Sequence, residues 1–388
     1  MARKLASIVE IESCEPIPDT ERLSVATMKG KGWKVVTGRD EFKPGALACY
    51  FEIDSFLPSD DPRYAFLRER CLRKFVSKGG NVLREGIRIK TCKLRGVVSQ
   101  GLLMPLSQFP EVTDRIIWNE EKQKDEFDEG ETGAGLVDVV GADLTSLLHV
   151  EHYDEVKEQL QPVMGNPISA DAMGPFPAAF IPKTDEPRIQ NLGEWFETMK
   201  GRKWEITCKH DGTSCTIAYA PSIDAENPVI VCSRNLRLKP QSADGKVPVY
   251  WQMANKYDIP NKVRYHFPDN ELAVQGEIVG PGINGDRNRE KEYEFKCFRI
   301  WDITAQRWMN PNECSRACDV MGIPHVEVVA TDYPFFDKIP TMELAITFAE
   351  GETAEGNERE GVVLKTCDDG PFYSCKIINN KYLLKQND

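Results

Sequence analysis

"WEITCKHDGTSCTIAYA", residues 204–220, is two β-type runs joined by the polar turn "KHDG". The flanks are rich in β-branched and aromatic side chains, and Asp211-Gly212 supplies turn chemistry. The stretch therefore predicts a strand, a tight turn and a second strand, with Lys209 at the end of the first. A lysine so placed is either a surface charge beside an ordinary turn or a nucleophile held at a strand end. By itself the KxDG pattern is weak, since it arises by chance in roughly one chain of this length in ten.

Outward from that turn, polar clusters recur on strand-like runs: "CSRNLRL" (232–238), "VQGEIVGPGI" (274–283), "FKCFRIWDI" (295–303), "EGVVLK" (360–365) and "SCKIINNKYLLK" (374–385). The stretch before it, "QPVMGNPISADAMGPFPAAFIP", is rich in Pro, Ala and Gly and reads as a linker. The N-terminal part offers short β-type runs, "KLASIVEI", "LSVATM", "WKVVTG", "ALACYFEI", "IRIKTCKL" and "GLLMP", while "RYAFLRERCLRKF" and "LTSLLHVEHYDEVKEQL" have helical spacing. Short strands around one helix predict a small Greek-key, OB-like barrel, a fold whose strands and loops bind nucleic acid. The expected organisation is an OB-like nucleic-acid-binding domain over residues 1–160, a linker over 161–181 and a larger α+β domain over 182–388. The α+β class follows from mixed strands and helices after residue 183.

Net charge is −12 over 388 residues, which argues against indiscriminate coating of nucleic acid. It leaves room for a local basic face. The stretch from Arg68 to Gly96 holds ten Lys or Arg against two Glu. Opposing it, "NEEKQKDEFDEGET" (119–132) reads as an acidic exposed loop. No window approaches the ~18 consecutive apolar residues of a membrane span, and the charged start lacks a secretory apolar segment, so a cytosolic chain is expected. Twelve cysteines are scattered singly, with no CxxC pair and no histidines at zinc spacing, which predicts reduced thiols rather than disulfides or a metal knot. Cys208 could itself be a nucleophile, but none of the five histidines is placed to activate it.

In order and spacing, the clusters after residue 180 resemble the motifs of the covalent nucleotidyltransferases: DNA ligases, RNA ligases and mRNA capping enzymes. "KHDG" resembles the nucleotidyl-lysine motif, and "SRN", "GEIVG", "FRIWD", "EGVVLK" and "SCKIINNKYLLK" resemble those that follow it. "KTDEPRIQN" (183–191) is similar to the entry segment of RNA ligases. With an OB-like domain in front and no room for one behind, the chain resembles the family 5 RNA ligases of the Deinococcus and Naegleria type.

The resemblance implies an ATP-dependent RNA ligase with AMP carried covalently on Lys209. It implies Asp211, Glu277 and Glu360 around Mg²⁺ or Mn²⁺, Lys376 on the α-phosphate and Arg188 on the departing pyrophosphate. Arg234 would meet the sugar or the incoming 5′-phosphate, Phe298 would stack on adenine, and Glu277 would also hold the ribose hydroxyls. The fifth motif departs from relatives with two lysines: Ser374 stands at the first place, so Lys365 or Lys381 could substitute. The implied partner is a nicked duplex with an RNA 3′-OH end, bound away from membranes by a monomer. A DNA ligase, a GTP-using capping enzyme and a non-catalytic RNA binder on the same fold are the alternatives.

An ordinary lysine has a pKa near 10.4, so nearly all of it is protonated at neutral pH. The chemistry thus requires surroundings that favour the free amine. Partial burial, a second lysine and a cation would all act that way.

Overall fold

In the computed structural model of the chain, the strand Ala6–Pro16 serves two neighbours. Its first half pairs antiparallel with Leu47–Phe51 and, after an irregularity between Ile11 and Ser13, its second half pairs with Leu23–Met28. Leu102–Pro105 and Lys31–Gly38 complete a five-stranded sheet at its two edges. Alternation puts Ala6 and Ile8 on one face with Phe51, Tyr64 and Phe109, and Val9 and Ile11 on the other with Met28, Trp33 and Tyr50. Ala6–Val9 and Ile11 are buried, while Glu12, Glu15 and Pro16 in the second half are exposed. This is the expected OB-type domain.

The described residues are 3–130, 135–164, 171–242, 245–284, 291–353 and 356–385. They fall into two units, one of Met1–Gly165, Gln190–Gly193 and Leu384–Asp388, the other of Asn166–Ile189 and Glu194–Leu383. Among them no helix is long and apolar enough to cross a membrane.

Several local expectations are corrected in the first unit. The helical spacing of "RYAFLRERCLRKF" yields a 3-10 turn, Pro62–Leu67, and a short helix, Arg68–Cys71. Leu72–Val76 is a strand instead, paired with Val82–Arg88, because sheet pairing there outweighs helix propensity. "IRIKTCKL" is split between Val82–Arg88 and Cys92–Leu94. The acidic stretch is not all loop. Ile116–Asn119 and Lys124–Asp128 form a hairpin, and Glu126 is buried, accepting from Asn119 and Lys122. Residues 131–132 of that stretch lie outside the described residues.

The helix Tyr153–Met164 runs into the first residues read as linker. Residues 165–170 lie outside the described ones, and Ala172–Pro175 adds a strand against Leu236–Leu238. That strand edges a seven-stranded antiparallel sheet with Leu236–Leu238, Val229–Cys232, Thr213–Tyr219, Leu272–Val279, Glu294–Asp302 and Arg307–Trp308 in order. The helices Val249–Lys256, Ile259–His266 and Pro311–Met321 cover one face of it, burying Tyr250, Met253, Val263 and Met321 against Ile217, Val274 and Ile300.

A second, four-stranded sheet has the order Val328–Tyr333, Trp204–Lys209, Gly361–Thr366, Ser374–Ile378. Trp195, Trp204 and Phe336 stack edge-on or tilted beneath it. The opening stretch thus places Trp204–Lys209 in one sheet and Thr213–Tyr219 in the other, and the turn at 210–212 joins the two.

Candidate active site

Strand register decides which side chains meet. In the four-stranded sheet Lys209 lies opposite Gly361, Thr207 opposite Val363 and then Lys376, and Glu205 opposite Lys365 and then Ser374. Paired and alternate residues share a face, so Lys209, Lys376, Lys365 and Ser374 all project to one side. The entry segment joins the edge: the Lys376 N–H donates to the Pro187 carbonyl at 2.8 Å, and Arg188 bridges Lys376 in parallel. Arg188 is thereby set beside Lys376.

From the other sheet comes Glu277, paired with Ser214 and Lys296. Gly212 lets the turn close onto that strand. A Cβ there would sit 2.3 Å from the Ile278 carbonyl oxygen and 2.7 Å from Glu277 Cγ. Lys209 Nζ donates to Glu360 Oε2 at 2.7 Å, with the lysine side chain 27% exposed and the glutamate 13%. Asp211 is fixed by Tyr382 Oη, which donates at 2.8 Å, and by Asn284 Nδ2 at 2.9 Å. Lys376 Nζ donates to Asp185 Oδ1 at 2.7 Å.

Electrostatics correct one expectation. Burial does pull the Lys209 ammonium down, but Glu360, Glu277 and Asp211 outweigh it, and the amine is held above its ordinary pKa. The free protein therefore keeps Lys209 protonated. Lys376 goes the other way: burial lowers it, and Arg188 and Lys209 add to this against Asp185. Burial pushes Glu277 up to about 8, with Lys209 opposing and Glu360 and Asp211 adding like charge. Glu360 is raised by burial and Asp211, against Lys209.

Beneath Lys209, burial first and Glu327 second push the Cys208 thiol up to about 12, which makes it a poor nucleophile at neutral pH. Lys296 Nζ donates to Glu327 Oε1 at 3.3 Å, and buried His210 lies 3.9 Å from the same oxygen.

Phe298 occupies an irregularity, since Gln275 faces Arg299 while Gly276 faces Cys297, and it is half-buried. Arg234 is exposed between Val229–Cys232 and Leu236–Leu238. Lys365 is buried and engaged: its amine donates to the Phe298 carbonyl at 2.7 Å and lies 3.8 Å from Glu205, clipping one sheet to the other. Lys381 donates to Glu350 at 2.6 Å, so neither lysine stands beside Ser374 as a free cation. Sequence reading missed Asp185, Tyr382 and Asn284. Asp185 and Tyr382 lie inside recognised clusters and Asn284 directly follows one, and position in or next to a motif was the only signal.

Comparison with known proteins follows the same lines. The RNA ligase family profile matches residues 202–378, and an OB-fold domain profile matches residues 5–106. No curated protein sequence matches the chain. Solved structures similar over both full lengths include Naegleria gruberi RNA ligase with PPi, at 30% identity, TM-score 0.75, covering 99% of each chain. A mutant of that enzyme with AMP and Mn has 29% identity, TM-score 0.76 and 99% coverage of each. Another, with ATP and Mn, has 29% identity, TM-score 0.75, and covers 100% of this chain and 98% of that one. The fold, the motif order and this full-length likeness agree: the chain belongs to the RNA ligase family.

Proposed function

We propose that the chain is an ATP-dependent RNA ligase that seals a nick between a 3′-OH and a 5′-phosphate, with Lys209 carrying AMP between steps. The observation that carries this reading is the Lys209–Glu360 contact of 2.7 Å amid the carboxylates of Glu277 and Asp211, with Lys376 and Arg188 on the same side. The AMP, ATP and PPi present in the Naegleria structures support it.

Once deprotonated, Lys209 Nζ attacks the α-phosphorus of ATP; a P–N bond forms and the P–O bond to pyrophosphate breaks. A 5′-phosphate oxygen then attacks the same phosphorus, the P–N bond breaks and the amine is regenerated. Finally the 3′-hydroxyl oxygen attacks the 5′-phosphorus and AMP departs. Such transfers depend on in-line positioning and charge neutralisation. Lys376 and Arg188 are set to hold the α-phosphate and the pyrophosphate. Phe298 stacks on adenine, and Arg234 meets the sugar or the incoming phosphate.

Asp211, Glu277 and Glu360 fit a divalent ion, because a buried set of carboxylates whose charges raise one another is relieved by a cation with oxygen preference. Mg²⁺ or Mn²⁺ bound there supplies charge neutralisation for the triphosphate. With those carboxylates engaged by the ion, Lys209 would be less strongly held in its protonated form and would lose its proton to solvent.

The substrate assignment is tested with nicked duplexes that differ only at the 3′-OH nucleotide. Sealing is expected to fall at least ~10-fold, or ~1.4 kcal/mol of barrier, when ribose there becomes deoxyribose. Equal sealing of an all-DNA nick would make the chain a DNA-joining member instead.

A further inference from the structure

Cysteines that are far apart in the sequence converge in one place. Cys297 lies on the strand Glu294–Asp302, and Cys314 and Cys318 lie one turn apart on the helix Pro311–Met321. All three are buried, and their sulfurs lie within 4.8 Å of one another. The helix ends at Gly322, whose φ of 57° turns the chain back toward the strand. There the Cys297 N–H donates to Pro324, and Val326 N–H donates to Cys297, so His325 pairs with Cys297 in parallel. Paired residues put their side chains on the same face. The His325 ring accordingly lies beside the Cys314 thiol, and its Nε2 is buried without a hydrogen-bond partner.

We propose that Cys297, Cys314, Cys318 and His325 form a closed, tetrahedral structural zinc site. Zn–S bonds of about 2.3 Å put tetrahedral sulfurs about 3.8 Å apart, inside the 4.8 Å that bounds the three sulfurs here, and the His325 ring, which is not within that distance of all three, would have to turn toward them. Three thiolates and one imidazole are a complete zinc ligand set and leave no open position for substrate. Core packing alone would leave that buried imidazole nitrogen with no more than a thiol, a weak hydrogen-bonding partner, beside it. Binding Zn²⁺ displaces the three thiol protons to solvent, with no change of oxidation state.

The location gives the site a purpose. Cys297 immediately precedes Phe298, and two residues after His325 the Glu327 carbonyl accepts from the Cys208 N–H at 2.8 Å. The segment 322–327 thus ties the strand of Phe298 to the strand of Lys209. Metal at its centre would hold the two sheets of the active site in register.

The test uses the full chain purified without chelator or added metal. Mass spectrometry of metal content is expected to find about one zinc per chain. Cys314→Ser and His325→Ala should lose it, while Cys367→Ser, a thiol outside the cluster, should keep it. To distinguish this metal from ions on the active-site carboxylates, the metal-free wild-type chain is loaded with Co²⁺. Thiolate-to-cobalt charge transfer with tetrahedral d–d bands is the expected result, and it stands even where a variant fails to fold. Zinc-free protein whose Co²⁺ spectrum shows oxygen ligation only, or a disulfide among the three cysteines in the freshly isolated chain, would overturn the proposal.

Discussion

At Glu277 burial acts first, then the neighbouring charges, and the carboxyl rises to about 8 from an ordinary value near 4.3. A folded-state pKa above the unfolded one means that the folded protein binds the proton more tightly. Its contribution to stability is complete below about pH 4.3 and is lost as pH rises through about 8. Glu277→Gln stays uncharged throughout, so in chelator its melting temperature should gain on the wild type between about pH 5 and about pH 8. A difference that stays flat across that window would show an ordinary solvated carboxylate. Lys209 itself was legible from the sequence because strand, turn and strand are local patterns. The charge balance around it was not legible. Glu360 and Glu277 reach it from other strands, and only register shows three carboxylates outweighing burial at one amine.

The hairpin Gly361–Thr366 and Ser374–Ile378 brings Glu360 and Lys376 to the site, and its loop is held in part through Asp368. Asp368 accepts from Arg202 Nε and Nη2 at 2.7 Å each, and from the Lys203 and Gly370 N–H groups at 3.0 Å. The Arg202 guanidinium, against some burial, holds its carboxyl down at about 2. Asp368→Asn should cost the chain about 1–3 kcal/mol in chemical denaturation at neutral pH. Because the folded pKa is depressed, that contribution is present above about pH 4 and is lost as pH falls through about 2. The gap between variant and wild type should therefore close in acid. A gap independent of pH would mean that the loop is held by packing rather than by this ion pair. Most strands could be read from alternation, and the exceptions share a cause. Leu72–Val76 and Lys124–Asp128 carry charged, helix-compatible or acidic sequences, and each is made a strand by its neighbours. The convergence of Cys297 with Cys314 and Cys318 was hidden for the same reason, since a strand and a helix supply the ligand atoms.

Over the whole chain, a charge of −12 and a basic stretch coexist because the basic residues are unevenly spent. Arg84 pairs with Glu151, Arg88 with Asp54 and Lys74 with Glu85, while Arg70, Lys78, Lys93 and Arg95 stand exposed. Converting those four to Gln should weaken nicked-duplex binding and flatten the slope of log affinity against log salt by as much as about 3–4, at about 0.9 per phosphate contact. Lysine adenylation should be unchanged. If adenylation fell equally and the slope held, the stretch would serve the fold rather than the substrate. The central claim is covalent chemistry at one nitrogen, and its most direct measurement is incubation with ATP labelled on the α-phosphate and Mg²⁺ or Mn²⁺, followed by acid and alkali treatment of the denatured chain. The expected result is label that survives alkali and is released by acid, as a P–N bond requires, and that is absent from Lys209→Ala and from reactions with labelled GTP. Label that withstands acid, or that persists in Lys209→Ala, would contradict it.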